Sequence, residues 1–226
     1  MYNALLEKSA KEGHPIRVGI VGSGKFGSGL VAQLSQMEGV EASAIADTNL
    51  NHARHAYTAT DISEESIRVG KNTVEIDDAI QSGKPVITED GLGITKSNLI
   101  DVVVEATGIP DAGARVGFHA VTHGKHLVMV NVEADVTIGP LLKHLADSAN
   151  VVYTLVDGDQ PGVTMNMVDW AKTLGFEIVA AGRGTEFLDE DRTATPDTVA
   201  ERFEFSEEMI QRRTINLRMF NSFRDG

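Results

Sequence analysis

The sequence predicts an α/β fold, a doubly wound parallel sheet followed by the start of a smaller, incomplete second domain. Three observations predict it. Apolar runs with little polar alternation recur at residues 18–21, 100–105, 126–130 and 151–155, as expected for strands buried on both faces of a parallel sheet. Stretches with helical apolar spacing lie between these runs, the alternation that strand-helix-strand units produce. The first run also breaks into Gly22, Gly24 and Gly27 before a helical pattern begins, which marks a tight turn from strand to helix.

Residues 1–15 form a short amphipathic lead-in whose strong apolar pair is Leu5 and Leu6. The glycines that follow stand in the G-x-G-x-x-G spacing of a dinucleotide-binding turn, so the expected sheet is Rossmann-type. Gly22 allows the turn, Gly24 lets a pyrophosphate approach the backbone, and Gly27 lets the new helix lie close to its strand. Ser23, Lys25 and Phe26 complete the cofactor-binding loop, and the helix start offers free N–H groups to phosphate. Phe26, Leu30, Leu34 and Met37 share one helical face, with Gly39 as a stop signal. A second strand over 41–46 ends at Asp47, about 20 residues past the last glycine, where a carboxylate accepts hydrogen bonds from adenosine ribose hydroxyls. Asp47 favours NAD, because it repels the 2′-phosphate of NADP; Arg54 keeps NADP open.

Helical character follows at 49–57, 63–69 and 77–81, then a short strand at 85–88. The strand over 100–105 ends in Ala106-Thr107-Gly108, a small turn that belongs beside the glycine loop, because ligands lie beyond the carboxyl ends of parallel strands. Pro110 opens a helix that precedes the strand at 126–130. A helix at 138–148, the strand at 151–155, a helix from Pro161 and a strand at 176–181 complete the pattern. Met165, Met167 and Trp170 read as packing residues of the helix from Pro161. The chain divides into a nucleotide-binding domain, 1–156, and a partial second domain, 157–226. The chain turns polar and acidic over 186–213, and its close on Arg224-Asp225-Gly226 just after the apolar Leu217, Met219 and Phe220 reads as that of a fragment.

A chain of 226 residues, 42% hydrophobic, can bury one good core and a smaller second one. Its net charge of -13 repels nucleic-acid backbones and anionic membranes. There is no cysteine, which excludes disulfides, thiolate metal sites and aldehyde oxidation through a thioester. Residues 1–15 lack a signal-peptide core and no stretch is long enough to cross a membrane, so the expected location is the cytoplasm. His119 and His123 stand one turn apart, but cationic side chains near a helix C-terminus are favoured by the dipole alone, and a metal role is not assigned to them.

Two pairs of carboxylates follow strands. Glu133 and Asp135 come after 126–130, and Asp157 and Asp159 after 151–155. On adjacent strand-end loops they can hold Mg²⁺ or Mn²⁺ and polarise a carbonyl or alkoxide, or they are solvated loop acids and helix caps.

The stretches from Ile100 to Gly108 and Gly124-Lys125-His126-Leu127-Val128, together with the glycine loop, resemble the nucleotide-binding half of homoserine dehydrogenase-like oxidoreductases. Gly158-Asp159-Gln160-Pro161-Gly162 and Met219-Phe220-Asn221-Ser222-Phe223 are similar to the branch that often carries a SAF domain and includes deoxyxylulose-phosphate reductoisomerase-like proteins. One departure concerns the lysine of the family's Asn-Lys pair, since this chain has Asn131-Val132. In reductoisomerases the region is Asn-Lys-Glu, so Glu133 keeps the glutamate position. Their metal-binding Asp-x-Glu is similar to Asp157-Gly158-Asp159, with a shorter second acid. The resemblance therefore implies an NAD(P)-dependent oxidoreductase, with a metal-assisted reductoisomerase as one form of it, acting as a homo-oligomer on a small polyhydroxylated acid or sugar phosphate. Asp157 and Asp159, with Glu133, would form the metal and catalytic set, and Arg183 an anion contact. A homoserine dehydrogenase-type biosynthetic enzyme, a nucleotide-sensing module without turnover and a methyltransferase are the alternatives.

Overall fold

The computed structural model describes residues 2–157 and 160–182, together with 193, 195 and 198. Contacts divide the chain into two units, Met1–Val156 and Asp157–Gly226. The first unit is a seven-stranded sheet in which every paired neighbour is parallel. Its strands are β1 (Ile16–Val21), β2 (Val40–Ala46), β3 (Arg68–Val69), β4 (Val86–Thr88), β5 (Val102–Glu105), β6 (His126–Met129) and β7 (Tyr153–Leu155). Their order is β3-β4-β2-β1-β5-β6-β7. The chain winds outward from β1 in one direction through β2 and in the other through β5, so the winding reverses at β1. A crevice at the carboxyl ends of β1 and β5 is where such a sheet binds ligands.

The helices are α1 (Tyr2–Lys11), α2 (Lys25–Leu34), α3 (Leu50–Thr58), α4 (Thr73–Gln81), α5 (Gly91–Lys96), α6 (Pro110–Thr122) and α7 (Val132–Ser148). Two apolar layers hold them to the sheet. On one face Ile20, Ile45 and Ile87 pack with Val31 and Leu34 of α2 and with Ala53, Ala56 and Tyr57 of α3. On the other, Val103, Leu127 and Met129 pack with residues of α4 to α7, among them Ile76, Ile94, Val116 and Leu142. Burial on both faces explains the unalternated apolar runs.

Several elements differ from the sequence expectation. The buried stripe of α2 is Gly27, Val31 and Leu34, whereas Phe26 and Met37 are exposed. The helix ends at Leu34, three residues before Met37, and Gly27 takes the sheet-facing position because backbone approaches there. Residues 63–69 are not one helix: a one-turn 3₁₀ helix, Glu64–Ser66, leads into edge strand β3. α4 starts earlier than expected because Asn72 caps it, accepting from the Glu75 N–H. α5 was not expected; Asp90 caps it through the Gly93 N–H.

The start of α7 matters most for the site. It begins at Val132 instead of 138, capped by Asn131, and carries Pro140 inside it. Glu133 and Asp135 therefore lie on a helical first turn, not on a loop.

In the second unit, α8 (Gln160–Thr173) leads into 174–182 without a strand at 176–181. Met165, Met167 and Trp170 are exposed, because none of the described side chains of 162–182 is buried to form a layer for them. Among the described residues no helix is long and apolar enough to cross a membrane.

Candidate functional site

The glycine loop leaves β1 at Val21. Gly22 has φ +98°, a left-handed conformation that L side chains rarely adopt. A Cβ there would also stand 2.7 Å from the Ala106 carbonyl and the Thr107 nitrogen, so the turn after β5 packs directly on the loop. A Cβ on Gly27 would run into the Gly22 carbonyl oxygen, which fixes α2 against the turn. The Gly22 N–H donates to Ala46 O at 2.8 Å and the Ala106 N–H to Val21 O at 2.7 Å. These bonds draw the ends of β1, β2 and β5 together. Gly24 caps α2 with no side chain bonded to the first turn, and the N–H groups of Lys25, Phe26 and Gly27 have no intrahelical acceptor, the arrangement that receives phosphate.

Asp47, at the end of β2, is wired into this loop. Its Oδ2 accepts from the Ser23 N–H at 2.9 Å and from the Ser23 hydroxyl at 2.6 Å, and its Oδ1 accepts from the Asn49 N–H at 2.9 Å. His52 Nδ1 lies 3.9 Å from Oδ1, and the Asp47 side chain keeps 13% of its surface exposed. Asp47 thus stands at the strand end where the sequence puts a ribose acceptor, joined to the loop through Ser23. Sequence reasoning missed that link, although a serine between the first two glycines was a usable sign. Arg54, the residue that keeps NADP open, lies 3.8 Å from Glu64.

The turn Ala106-Thr107-Gly108 is held by a second carboxylate. Glu105, the last residue of β5, is fully buried; its Oε1 accepts from the Thr107 N–H at 2.9 Å and from the Thr107 hydroxyl. The Thr107 oxygen in turn accepts from the Ile109 N–H at 3.1 Å, which leads into α6. Asn131 is buried beside it, its Oδ1 accepting from the Ala134 N–H at 3.2 Å. A Cβ on Gly113 would come within 3.1 Å of Glu105 Oε2 and 2.8 Å of Asn131 Nδ2. α6, the end of β5 and the start of α7 therefore meet at Gly113. Glu105 was legible in the sequence only as part of a strand ending.

Asp135 accepts from the Tyr153 hydroxyl and so clamps α7 to β7. Burial first, then that hydrogen bond and the Asp135 charge, push the Tyr153 phenol above its ordinary range. Glu133 is half-buried on the first turn of α7. Asp157 is exposed and belongs to the second unit; Asp159 and Arg183 lie outside the described residues. Among the described residues no three His, Asp or Glu side chains come together as a metal site. His119 and His123 stack at 5.7 Å, and His123 Nδ1 sits 2.7 Å from the His119 carbonyl at the end of α6.

Residues 22–155 match the model of the homoserine dehydrogenase NAD-binding domain, more than half of the chain. The chain belongs to that family. As a homoserine dehydrogenase-like chain it carries the NAD-binding domain of an oxidoreductase, and residues 158–226 match a second model, the catalytic domain of oxidoreductase DRL. A homoserine dehydrogenase of Methylobacillus glycogenes is 26% identical over 166 residues, covering 69% of this chain and 37% of the relative. The chain thus spans little more than a third of that relative's length. Two solved structures share the fold. An oxidoreductase from Agrobacterium radiobacter, in complex with NAD+, L-tartaric acid and magnesium, aligns with a TM-score of 0.52 at 12% identity, over 71% of this chain and 40% of its own. Scyllo-inositol dehydrogenase from Lactobacillus casei, with NAD(H) and scyllo-inositol, gives 0.50 at 16% identity, over 70% and 42%. This homoserine dehydrogenase-like sheet is a Rossmann fold, and the methyltransferase alternative falls with the family match.

Proposed function

We propose that the first unit binds NAD in preference to NADP, and that the oxidoreductase it serves transfers a hydride to or from a small polyhydroxylated acid or sugar phosphate. The observation that carries the cofactor choice is Asp47: a carboxylate held at the end of β2 against the glycine loop accepts from ribose hydroxyls and repels a 2′-phosphate. The N–H groups at the start of α2 would take the pyrophosphate, with Gly22, Ser23, Gly24, Lys25, Phe26 and Gly27 around it. Ala106, Thr107 and Gly108, in the turn that Glu105 anchors, would border the nicotinamide. The nicotinamide supplies or accepts the hydride. The substrate class rests on the resemblance to sugar-acting branches of the family, and the tartaric acid bound by one of the two fold neighbours falls within it. Titration of the full chain with NADH and NADPH tests the cofactor reading: NADH binds more tightly if it holds, and binding of neither overturns it.

The finer chemistry is carried by Glu133, Asp157 and Asp159 as acid-base groups or, for the two aspartates, as ligands of Mg²⁺ or Mn²⁺, with Arg183 meeting a substrate anion. This part rests on the pattern Asp157-Gly158-Asp159 and its resemblance to a metal-binding Asp-x-Glu. Isothermal titration with Mg²⁺ and Mn²⁺, repeated on Asp157→Asn, tests it; equal behaviour of both proteins removes the metal role. A homo-oligomer is the expected assembly, which light scattering checks. The presence of Val132 in place of the family lysine favours one further reading, a sensing module that binds dinucleotide without turnover. Tight NADH binding with no oxidation or reduction across a hydroxy-acid and sugar panel would select it.

A further inference from the structure

We propose that Ser23 sets the dinucleotide preference of this site, acting as a positioning residue for Asp47. The inference rests on the reading that this loop binds a dinucleotide, and it goes beyond it in naming the group that makes Asp47 selective. An ionised carboxylate offers about four lone-pair positions. Three on Asp47 are filled by protein donors: the Ser23 N–H and hydroxyl on Oδ2 and the Asn49 N–H on Oδ1. Both oxygens are therefore tied, and the side chain has one orientation with accepting capacity left on Oδ1. Ser23 is itself 5% exposed, so its hydroxyl serves the carboxylate and not the solvent.

A carboxylate tied at both oxygens cannot swing aside, so a 2′-phosphate entering the site meets its charge. A ribose hydroxyl donates to the same group without any reorganisation. Without the serine hydroxyl, Oδ2 keeps only the backbone donor and Asp47 regains rotamers. Binding of NADH then has to order the side chain, while NADPH can push it away. The effect runs entirely through Asp47, because no other side chain accepts from Ser23 among the described residues.

The test is tryptophan and cofactor fluorescence titration of the full chain with NADH and NADPH, for wild type, Ser23→Ala, Ser23→Thr, Asp47→Ala and the Ser23→Ala/Asp47→Ala double variant. Ser23→Ala is expected to weaken NADH about 10-fold while leaving NADPH within about 2-fold. Ser23→Thr, which keeps the hydroxyl, is expected to restore the preference. In the Asp47→Ala background the serine substitution should have no further effect. Equal weakening of both dinucleotides, or a full Ser23→Ala effect without Asp47, overturns the proposal and makes the serine a general support of the loop. Ser23→Cys, a near-isostere with a weak donor, carries the same comparison where the alanine variant does not fold. Wild type that binds neither dinucleotide overturns the underlying reading, and the proposal with it, whatever the variants do.

Discussion

After β1 the chain turns through Gly22 and Gly24 and is held by a carboxylate from another strand, Asp47 at the end of β2. After β5 it turns through Ala106-Thr107-Gly108 and is held by a carboxylate from its own strand, Glu105. Asp47 keeps an exposed edge, while Glu105 has none. The same functional group is thus used in two ways. The first carboxylate bonds to the protein and still faces outward with capacity for a ligand, whereas the second is committed to holding a turn. A buried carboxylate beside a cofactor crevice is not by that fact a catalytic one; its hydrogen-bond partners decide.

The strongest way to break the first loop is Gly27→Val. Its side chain would collide with the Gly22 carbonyl oxygen, which is backbone and cannot step aside. We expect at least about 3 kcal/mol of destabilisation and loss of measurable NADH binding, read by urea denaturation and fluorescence titration. Glu105→Ala sharpens the contrast between the two carboxylates. It leaves the Thr107 N–H without its acceptor and should cost about 3 kcal/mol, against about 1 kcal/mol for Asp47→Ala, whose carboxylate itself keeps an exposed edge. Cofactor affinity should run in the opposite order. Equal stability costs in urea would remove the distinction drawn here.

A smaller effect lies under α3. Tyr57 is fully buried and donates to Ala42 O at 2.9 Å; burial, with the Glu41 charge second, pushes its phenol well above the ordinary range. The raised folded-state value means that this contribution to stability is complete below about pH 10, where the unfolded phenol titrates, and is lost as pH rises beyond it. Tyr57→Phe should cost about 1 kcal/mol at pH 7 and flatten the fall of the urea midpoint between about pH 10 and 11. The smallest change is expected from Glu133→Gln, which should leave NADH affinity within about 2-fold, since the glycine loop and Asp47 are built without it. A large loss in the same fluorescence titration would extend the cofactor site to α7.

Much of the first loop was legible because its physics is local. A glycine at φ +98°, a glycine under a carbonyl and an acid one strand later are requirements of backbone and spacing, and they leave a mark in the order of residues. The second carboxylate left no such mark. Glu105 sits at the end of an apolar run like any polar residue that closes a strand, and only folding shows that its Oε1 accepts twice from Thr107. The setting of Glu133 and Asp135 was hidden for a related reason. Asp135 follows a strand in sequence, yet α7 begins at Val132 and turns that side chain toward Tyr153. The capping of α7 by Asn131 decides this.

By itself the sequence determined the winding of the sheet, the glycine turn after β1 and the acid at the end of β2, because apolar periodicity and glycine spacing act over a few residues. Tertiary structure alone decided which carboxylates are free to serve a ligand. A side chain's remaining hydrogen-bond capacity depends on donors brought to it from elsewhere in the chain: Ser23 reaches Asp47 across 24 residues and Tyr153 reaches Asp135 across 18.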